Sequence, residues 1–442
     1  MSALADPDRL LLLLGLIAAL GPFIGLTVVA IRQPPLGIVL LLATEGLSYL
    51  IAMPEVAAGP MDLTPRDVVF IILGLATVVR SRWVRPQQLT LLVVGAVVAL
   101  GIVRSLATFG VGGADMEFRP ETWFIVAALY GSTFSTAEVR ETLWRVFQLG
   151  LAMSGVAIVQ WLVNADSLTP GPLVDSITAD RPIVAAQAVL IAHTTVMGLW
   201  LWLQRHPGRW VIWATAGSLV LVVLTRHRSV WVATVVMLGL TFLLVSGTNG
   251  RRVAIVGVSF AAALVFMVGN LALIGDVDDT LSTAATDLTN WEWRQDRWGQ
   301  IWDEHAARGP VASVFGSEYG YPWLTTPDGG RGVSPHNLYI RIMVRLGLVG
   351  AVALFGTYLW FVGRHLRVRS VPSHGQILAI LLVGHLVYYV PYGTTPVLGL
   401  VLGAAAAWDH QVRRRNRTRS DALDGELVRR PTVAAYTPRT DR

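Results

Sequence analysis

Three groups of residues in this chain have the types and spacing needed to grip an anion and move a proton. The first is Arg226-His227-Arg228, between apolar runs that end at Leu224 and begin at Val230. Arginine presents a planar fork of donors that pairs with phosphate oxygens two at a time. At a tight turn beside membrane, such forks would meet a lipid-linked diphosphate, or they could reach lipid phosphates without specificity. The second group is Asn290-Trp-Glu-Trp-Arg-Gln-Asp-Arg-Trp-Gly-Gln-Ile-Trp302. Here Arg294 and Arg297 could bring a second guanidinium to the same anion, and tryptophans such as Trp298 could stack on sugars. The plainer reading is an amphipathic helix anchored in the headgroup region. The third is Ser334-Pro335-His336-Asn337-Leu338-Tyr339. An imidazole, with an ordinary pKa of about 6.5, suits proton abstraction near neutral pH. Alternatively, Ser334 or Asn337 caps a helix and His336 stands by.

Arg341 and Arg345 follow one turn apart inside an apolar run. Charges at membrane depth face the protein interior or a cavity. These two extend an anion site downward, or they pair with a buried carboxylate such as Glu45 or with backbone carbonyls. His193, His385 and Glu45 are further polar groups in apolar runs, where helix-packing hydrogen bonds are the commoner role. Asp276, Asp278 and Asp279 lack the glycine and glutamate of a calcium loop and read as solvated loop. No P-loop, GxSxG elbow or HExxH occurs. The sequence has no cysteine, so disulfides and thiolate metal sites are excluded, and no metal site or cofactor is expected.

The elements that position these residues are membrane helices. Of 442 residues, 53% are hydrophobic and 14% charged, against about 25% charged in soluble domains. Apolar runs lie at Leu10–Ile31, Leu36–Met53, Val68–Val79, Leu89–Leu106, Trp123–Phe134, Leu143–Val163, Ile183–Leu203 and Trp210–Leu224. More follow at Val230–Val245, Val253–Ile274, Leu338–Val362, Ile377–Val390 and Val397–Ala407. Backbone groups in lipid must be satisfied within the segment, so the runs are helices. The expected fold is an all-α polytopic membrane protein with about twelve or thirteen transmembrane helices. The first run lacks a cleavage site after it and is read as a retained span.

The organisation expected is transmembrane helices over 1–274, one long extracytoplasmic loop over 275–337, transmembrane helices over 338–409 and a disordered basic cytoplasmic tail over 410–442. The loop should hold an interfacial helix capped at Asp287 or Asn290 and stopped at Gly309-Pro310, with Trp291, Arg294, Trp298, Trp302 and His305 along one stripe. Beyond it, through Gly316, Gly320, Gly329, Gly330 and Gly332, no regular structure is expected. Counting back from the basic tail puts Arg364, Arg251, Arg205, Arg140 and Arg80 on the cytoplasmic side, as the positive-inside rule requires. That rule also accounts for the net charge of +6 without nucleic acid as a partner. The three groups above then fall together on the opposite side.

The segment Ser334-Pro-His-Asn-Leu-Tyr-Ile-Arg-Ile-Met-Val-Arg-Leu-Gly-Leu-Val-Gly350 resembles the histidine-asparagine signature of the O-antigen ligase/polymerase family. Thr225-Arg-His-Arg-Ser-Val-Trp231 resembles that family's Thr-x-Ser-Arg-x-x-Trp turn, with His227 in place of serine. The run from Arg294 through Trp298 to Pro310, Gly316 and Gly320 resembles the family's loop. The resemblance is detailed from about Leu221 to Gly350. It implies a metal-independent, inverting glycosyltransferase on the outer face of the bacterial cytoplasmic membrane. Such an enzyme moves a glycan from a polyprenyl-diphosphate carrier to a hydroxyl of a glycan or lipid acceptor, among membrane lipids. Arg228 and Arg294 would hold the diphosphate, with Arg297 competing for the second place. His336 would be the base or position the acceptor. Arg226, Trp298, Asn337 and Arg341 would complete the substrate site. The rival readings are a flippase of lipid-linked glycans and a non-catalytic envelope-assembly protein; no internal repeat marks a transporter.

Overall fold

The computed structural model describes residues 22–47, 56–58, 61–81, 86–163, 183–204, 208–225, 227–245, 289–323, 335–366 and 373–429. Its helices are α1 (Pro22–Arg32), α2 (Pro34–Leu47), α3 (Pro65–Arg80), α4 (Pro86–Phe109), α5 (Val111–Ser132), α6 (Thr136–Val163) and α7 (Ala185–Leu203). Then come α8 (Trp210–Leu224), α9 (Arg228–Val245), α10 (Thr289–Ala307), α11 (Pro310–Phe315), α12 (Leu338–His365), α13 (His374–Tyr388) and α14 (Pro396–Arg429). One antiparallel hairpin, Val56–Ala58 with Met61–Leu63, precedes α3. The protein is an all-α polytopic membrane protein. Helices α4, α6, α7 and α12 are long and apolar enough to cross a bilayer, and α1, α8, α9 and α13 are shorter apolar helices. Val78, Val103, Leu243 and Val352 are exposed large aliphatic side chains, as lipid-facing positions are. The expected run Val253–Ile274 and the first part of Leu10–Ile31 lie outside the described residues.

Two ends of the bundle can be told apart by their polar bonds. At one end, Arg80 donates to the Ile31 carbonyl and pairs with Glu138, and Gln411 donates to the Phe134 carbonyl. Asp409 there receives Arg364 and Arg413. At the other end, Leu338 N donates to the Tyr389 carbonyl and Arg341 pairs with Glu121. His227 there bridges Tyr392 and the Ile183 carbonyl. Arg80, Arg364 and Arg413 therefore stand away from the end that holds His227 and His336, as the loop-charge pattern predicts.

Close packing of α5 on α14 anchors this second end. Gly399 and Gly403, one turn apart, lie on the Phe124 and Ala128 backbone, where a Cβ would overlap the carbonyls. Small residues at this spacing let membrane helices approach backbone to backbone. Helix α5 also starts at Val111, well before the apolar run at Trp123. Its first turns carry Glu117 and Glu121, whose cost near the membrane is met by arginines of α12.

The loop differs from expectation after α10. Residues 309–323 are ordered: α11 follows Gly309, and Gly316 and Gly320 take φ of 78° and 86°. Gly316 crosses Gly347 of α12, which has φ 65° and kinks that helix. A Cβ at either glycine would overlap the other segment's backbone. Ser317 N donates at 2.6 Å to the Val344 carbonyl beside the kink. Spaced glycines thus mark a crossing, and not merely a flexible loop. Helix α14 likewise continues to Arg429, where the sequence pattern suggests no structure from His410 onward. Arg, Ala, Leu and Glu are good helix formers, and Asp409 pairs with Arg413 one turn on.

Candidate active site

His336 lies two residues before α12. Its φ is 47°, a left-handed conformation uncommon for residues other than glycine. Its neighbours fix it there. On one side, Trp298 Nε1 of α10 donates to the Pro335 carbonyl at 2.7 Å. On the other, Asn337 caps α12, its Oδ1 accepting from Ile340 N at 3.1 Å. Leu338 N then donates to the Tyr389 carbonyl at 3.0 Å. A strained residue clamped by three elements is a pre-organised one. Asn337 is thus a capping residue in this structure.

The imidazole of His336 is exposed at the surface of this end. Crowding around the ring lowers its pKa below the ordinary value, and the guanidinium groups of Arg294 and then Arg341 lower it further. Arg294 of α10, some forty residues earlier in the sequence, therefore acts on the same imidazole as Arg341 of α12. A neutral imidazole with a free lone pair is the form a base needs.

Helix α10 turns a polar and apolar stripe inward. Arg294, Arg297 and Trp298 are half-buried; Ile301 is buried against Trp323 and Val344, and His305 is buried as well. The stripe runs 294, 298, 301, 305. Trp302, expected on it, is instead exposed, as is Trp293. These two give α10 an interfacial outer face. Of the competing arginines, Arg294 is the one that acts on His336. Among the described residues, Arg297 Nε has no hydrogen-bond acceptor. His305 is held below its usual pKa by burial, then by Arg308 and Arg345.

Arg341 and Arg345 meet the carboxylates Glu121 and Glu117, and the Glu45 side chain lies outside the described residues. Arg341 Nε stands 2.7 Å from Glu121 Oε1, and its Nη2 donates to Glu121 Oε2 at 2.8 Å and to the Glu117 carbonyl. Arg345 is fully buried: Nε donates to Glu117 Oε1 at 2.6 Å, and its Nη atoms donate to the Glu318 and Tyr321 carbonyls. The guanidinium also stacks 3.9 Å from the centre of the Trp323 ring. Arg104 of α4 pairs with Glu318 at 2.8 Å. Arg345 is therefore a tie that holds the loop on α5 and α12. Sequence reasoning missed Glu117 and Glu121. The signal was their spacing of four in Glu117-Phe-Arg-Pro-Glu121, matching the spacing of Arg341 and Arg345.

Arg228 opens α9 at the same end and is half-buried. His227, where a serine was expected, is buried and bonds Tyr392 Oη at 3.0 Å and the Ile183 carbonyl at 2.9 Å. Trp231 Nε1 donates to the Val222 carbonyl, closing the turn between α8 and α9. Tyr392 is next to Gly393, where an added Cβ would stand 3.8 Å from Arg341 Nη1. The segment after α13 thus adjoins both the Arg228 turn and the His336 site. Arg226 lies outside the described residues, as do Asp276, Asp278 and Asp279.

The family model described as O-Antigen ligase matches residues 213–355. That stretch runs from α8 to beyond the kink of α12 and contains Arg228, Arg294, Trp298, His336, Asn337 and Arg341. No curated protein and no solved structure matches the chain. The chain is thus a polytopic membrane protein whose residues 213–355 match the O-antigen ligase family model.

Proposed function

We propose that the protein is an inverting glycosyltransferase that moves a glycan from a polyprenyl-diphosphate carrier to an acceptor hydroxyl on the outer face of the bacterial cytoplasmic membrane. The reading is carried by the match of residues 213–355 to the O-antigen ligase family, in a segment where Arg294 and Arg341 both act electrostatically on His336. In the reaction, the acceptor oxygen forms a bond to the anomeric carbon as the bond to the carrier diphosphate breaks. The acceptor proton passes to the His336 imidazole, and the bonding electrons leave with the diphosphate. Negative charge grows on that leaving group. Arg228 and Arg294 meet it with donors placed in advance, each worth about 3–4 kcal/mol when well aimed. The base contributes about 10²–10⁴-fold.

Arginines in this role do the work that a divalent cation does in other phosphate-leaving reactions. Trp298 orders the loop and offers a face for sugar stacking. Arg226 and Arg297 are secondary contacts in this account. The test is transfer by the purified protein, given a polyprenyl-diphosphate-linked glycan and a glycan or lipid acceptor, with and without chelator. Product of inverted anomeric configuration at equal rates in both conditions is expected. Donor that crosses vesicle membranes intact, without transfer, would make the protein a transporter instead.

A further inference from the structure

We propose that Glu121 is a positioning residue for this site: it aims Arg341 so that one guanidinium edge faces the substrate diphosphate beside His336. The inference rests on the transferase reading of the same site. Glu121 is 2% exposed and meets Arg341 through both carboxylate oxygens, at 2.7 and 2.8 Å. The other Nη2 hydrogen goes to the Glu117 carbonyl. Both Nη2 hydrogens are taken by hydrogen bonds and Nε faces the carboxylate in the ion pair, which leaves Nη1. Among the described residues nothing accepts from Nη1. Its neighbour is Gly393, which puts no side chain over it.

The aim is rigid because both supports are. Glu121 sits on α5, whose backbone is locked to α14 at Gly399 and Gly403. One turn earlier, Glu117 is held by Arg345 at 2.6 Å. Compensation is the second consequence. Arg341 already lowers the His336 pKa, after crowding and Arg294. Among the described residues, the other charged or titratable groups at this end include Arg297 on α10, Glu117 on α5, Arg345 and Tyr339 on α12, His227 and Arg228 at the start of α9, and Tyr392 after α13. Burial pushes the Glu121 carboxyl up to about 7, against the pull of Arg341, so above that pH Arg341 adds a donor edge while its charge is balanced. Without Glu121, a bare guanidinium would act on His336.

The experiment follows the reaction of His336 with diethylpyrocarbonate against pH, read by mass spectrometry in the full-length membrane protein. This readout does not need transfer activity. Glu121→Gln should lower the apparent His336 pKa by up to about one unit, the size of one nearby like charge. Glu121→Asp should restore most of it, and Glu121→Gln with Arg341→Gln should return it to wild type or above. An unchanged titration in folded Glu121→Gln would overturn the proposal. Gly393→Leu gives a second test that leaves the ion pair alone. Its φ is not positive, so the change is not strained by backbone. It should weaken binding of polyprenyl diphosphate at least tenfold, about 1.4 kcal/mol, with the His336 titration unaltered; unweakened binding would also overturn the proposal. Wild-type protein that responds in both tests but transfers no glycan would sink the transferase reading and leave the positioning role standing.

Discussion

Trp298 and Pro335, thirty-seven residues apart, are joined by a 2.7 Å hydrogen bond from the indole nitrogen to the proline carbonyl. The bond ties the interfacial helix to the residue just before His336. It is a direct mechanical link between the helix that carries Arg294 and the backbone that carries the imidazole. A neutral bond of this kind contributes about 1 kcal/mol net. Its effect on geometry should exceed that figure, because the left-handed His336 needs both flanks held. Trp298→Phe keeps the ring and removes the donor. We expect a loss of about 1 kcal/mol in unfolding measurements and a fall in transfer of tenfold or more. Unchanged transfer kinetics would show that the bond is structural only.

His336→Ala should lower turnover by about 10²–10⁴-fold, the usual contribution of a general base, with donor affinity nearly unchanged. Loss of donor affinity alone would refute the base assignment. The pH profile gives an independent sign. A base works in its neutral form, and crowding with Arg294 and Arg341 lowers the His336 pKa. Activity should therefore rise with pH through a midpoint below the ordinary histidine value of about 6.5, and stay high at neutrality. Arg294→Gln should move that midpoint upward.

Arg294 and Arg297 should separate cleanly. Arg294 acts on His336, while Arg297 is not among the groups that shift its pKa. Arg294→Ala should cost transfer by about 10²-fold or more, as removal of a well-aimed donor does. Arg297→Ala should cost tenfold or less. Equal and mild effects would favour α10 as an interfacial anchor alone.

Gly347 and Gly316 carry the crossing of the loop over α12. Gly347→Ala must adopt a φ of 65° and displace the Val314 backbone. Strain in this region costs of order 1–3 kcal/mol before any displacement. Thermal unfolding of the detergent-solubilised protein should show a clear loss, with transfer reduced in parallel. Wild-type stability would mean that the crossing is not required.

Much of this was legible in the sequence, and what was not has physical causes. Apolar runs with arginine-rich loops between them gave the helices and grouped their ends, because lipid forces both patterns. The histidine-asparagine segment and the Arg294–Trp298 spacing were readable because short-range geometry puts them on one cap and one helix face. Glu117 and Glu121 were missed because their importance lies in partners some 220 residues away in the sequence, Arg345 and Arg341. The stripe on α10 was drawn through Trp302 instead of Ile301, since tryptophan density pointed to one face and burial chose another. The order of residues 309–323 was hidden because glycines that usually mark loose loops here permit a backbone crossing. A buried carboxylate partner for the intramembrane arginines was expected, and Glu121 and Glu117 supply it.

The central claim is that guanidinium groups from separate elements hold one diphosphate beside His336. A double-mutant cycle on polyprenyl-diphosphate binding tests it most directly, with Arg228→Ala, Arg294→Ala and the double variant in membrane-inserted protein. Two residues that grip the same group should couple, so the double variant should lose less than the sum of the singles by at least about 0.5 kcal/mol. Strictly additive losses, or undiminished binding in Arg228→Ala, would contradict the account.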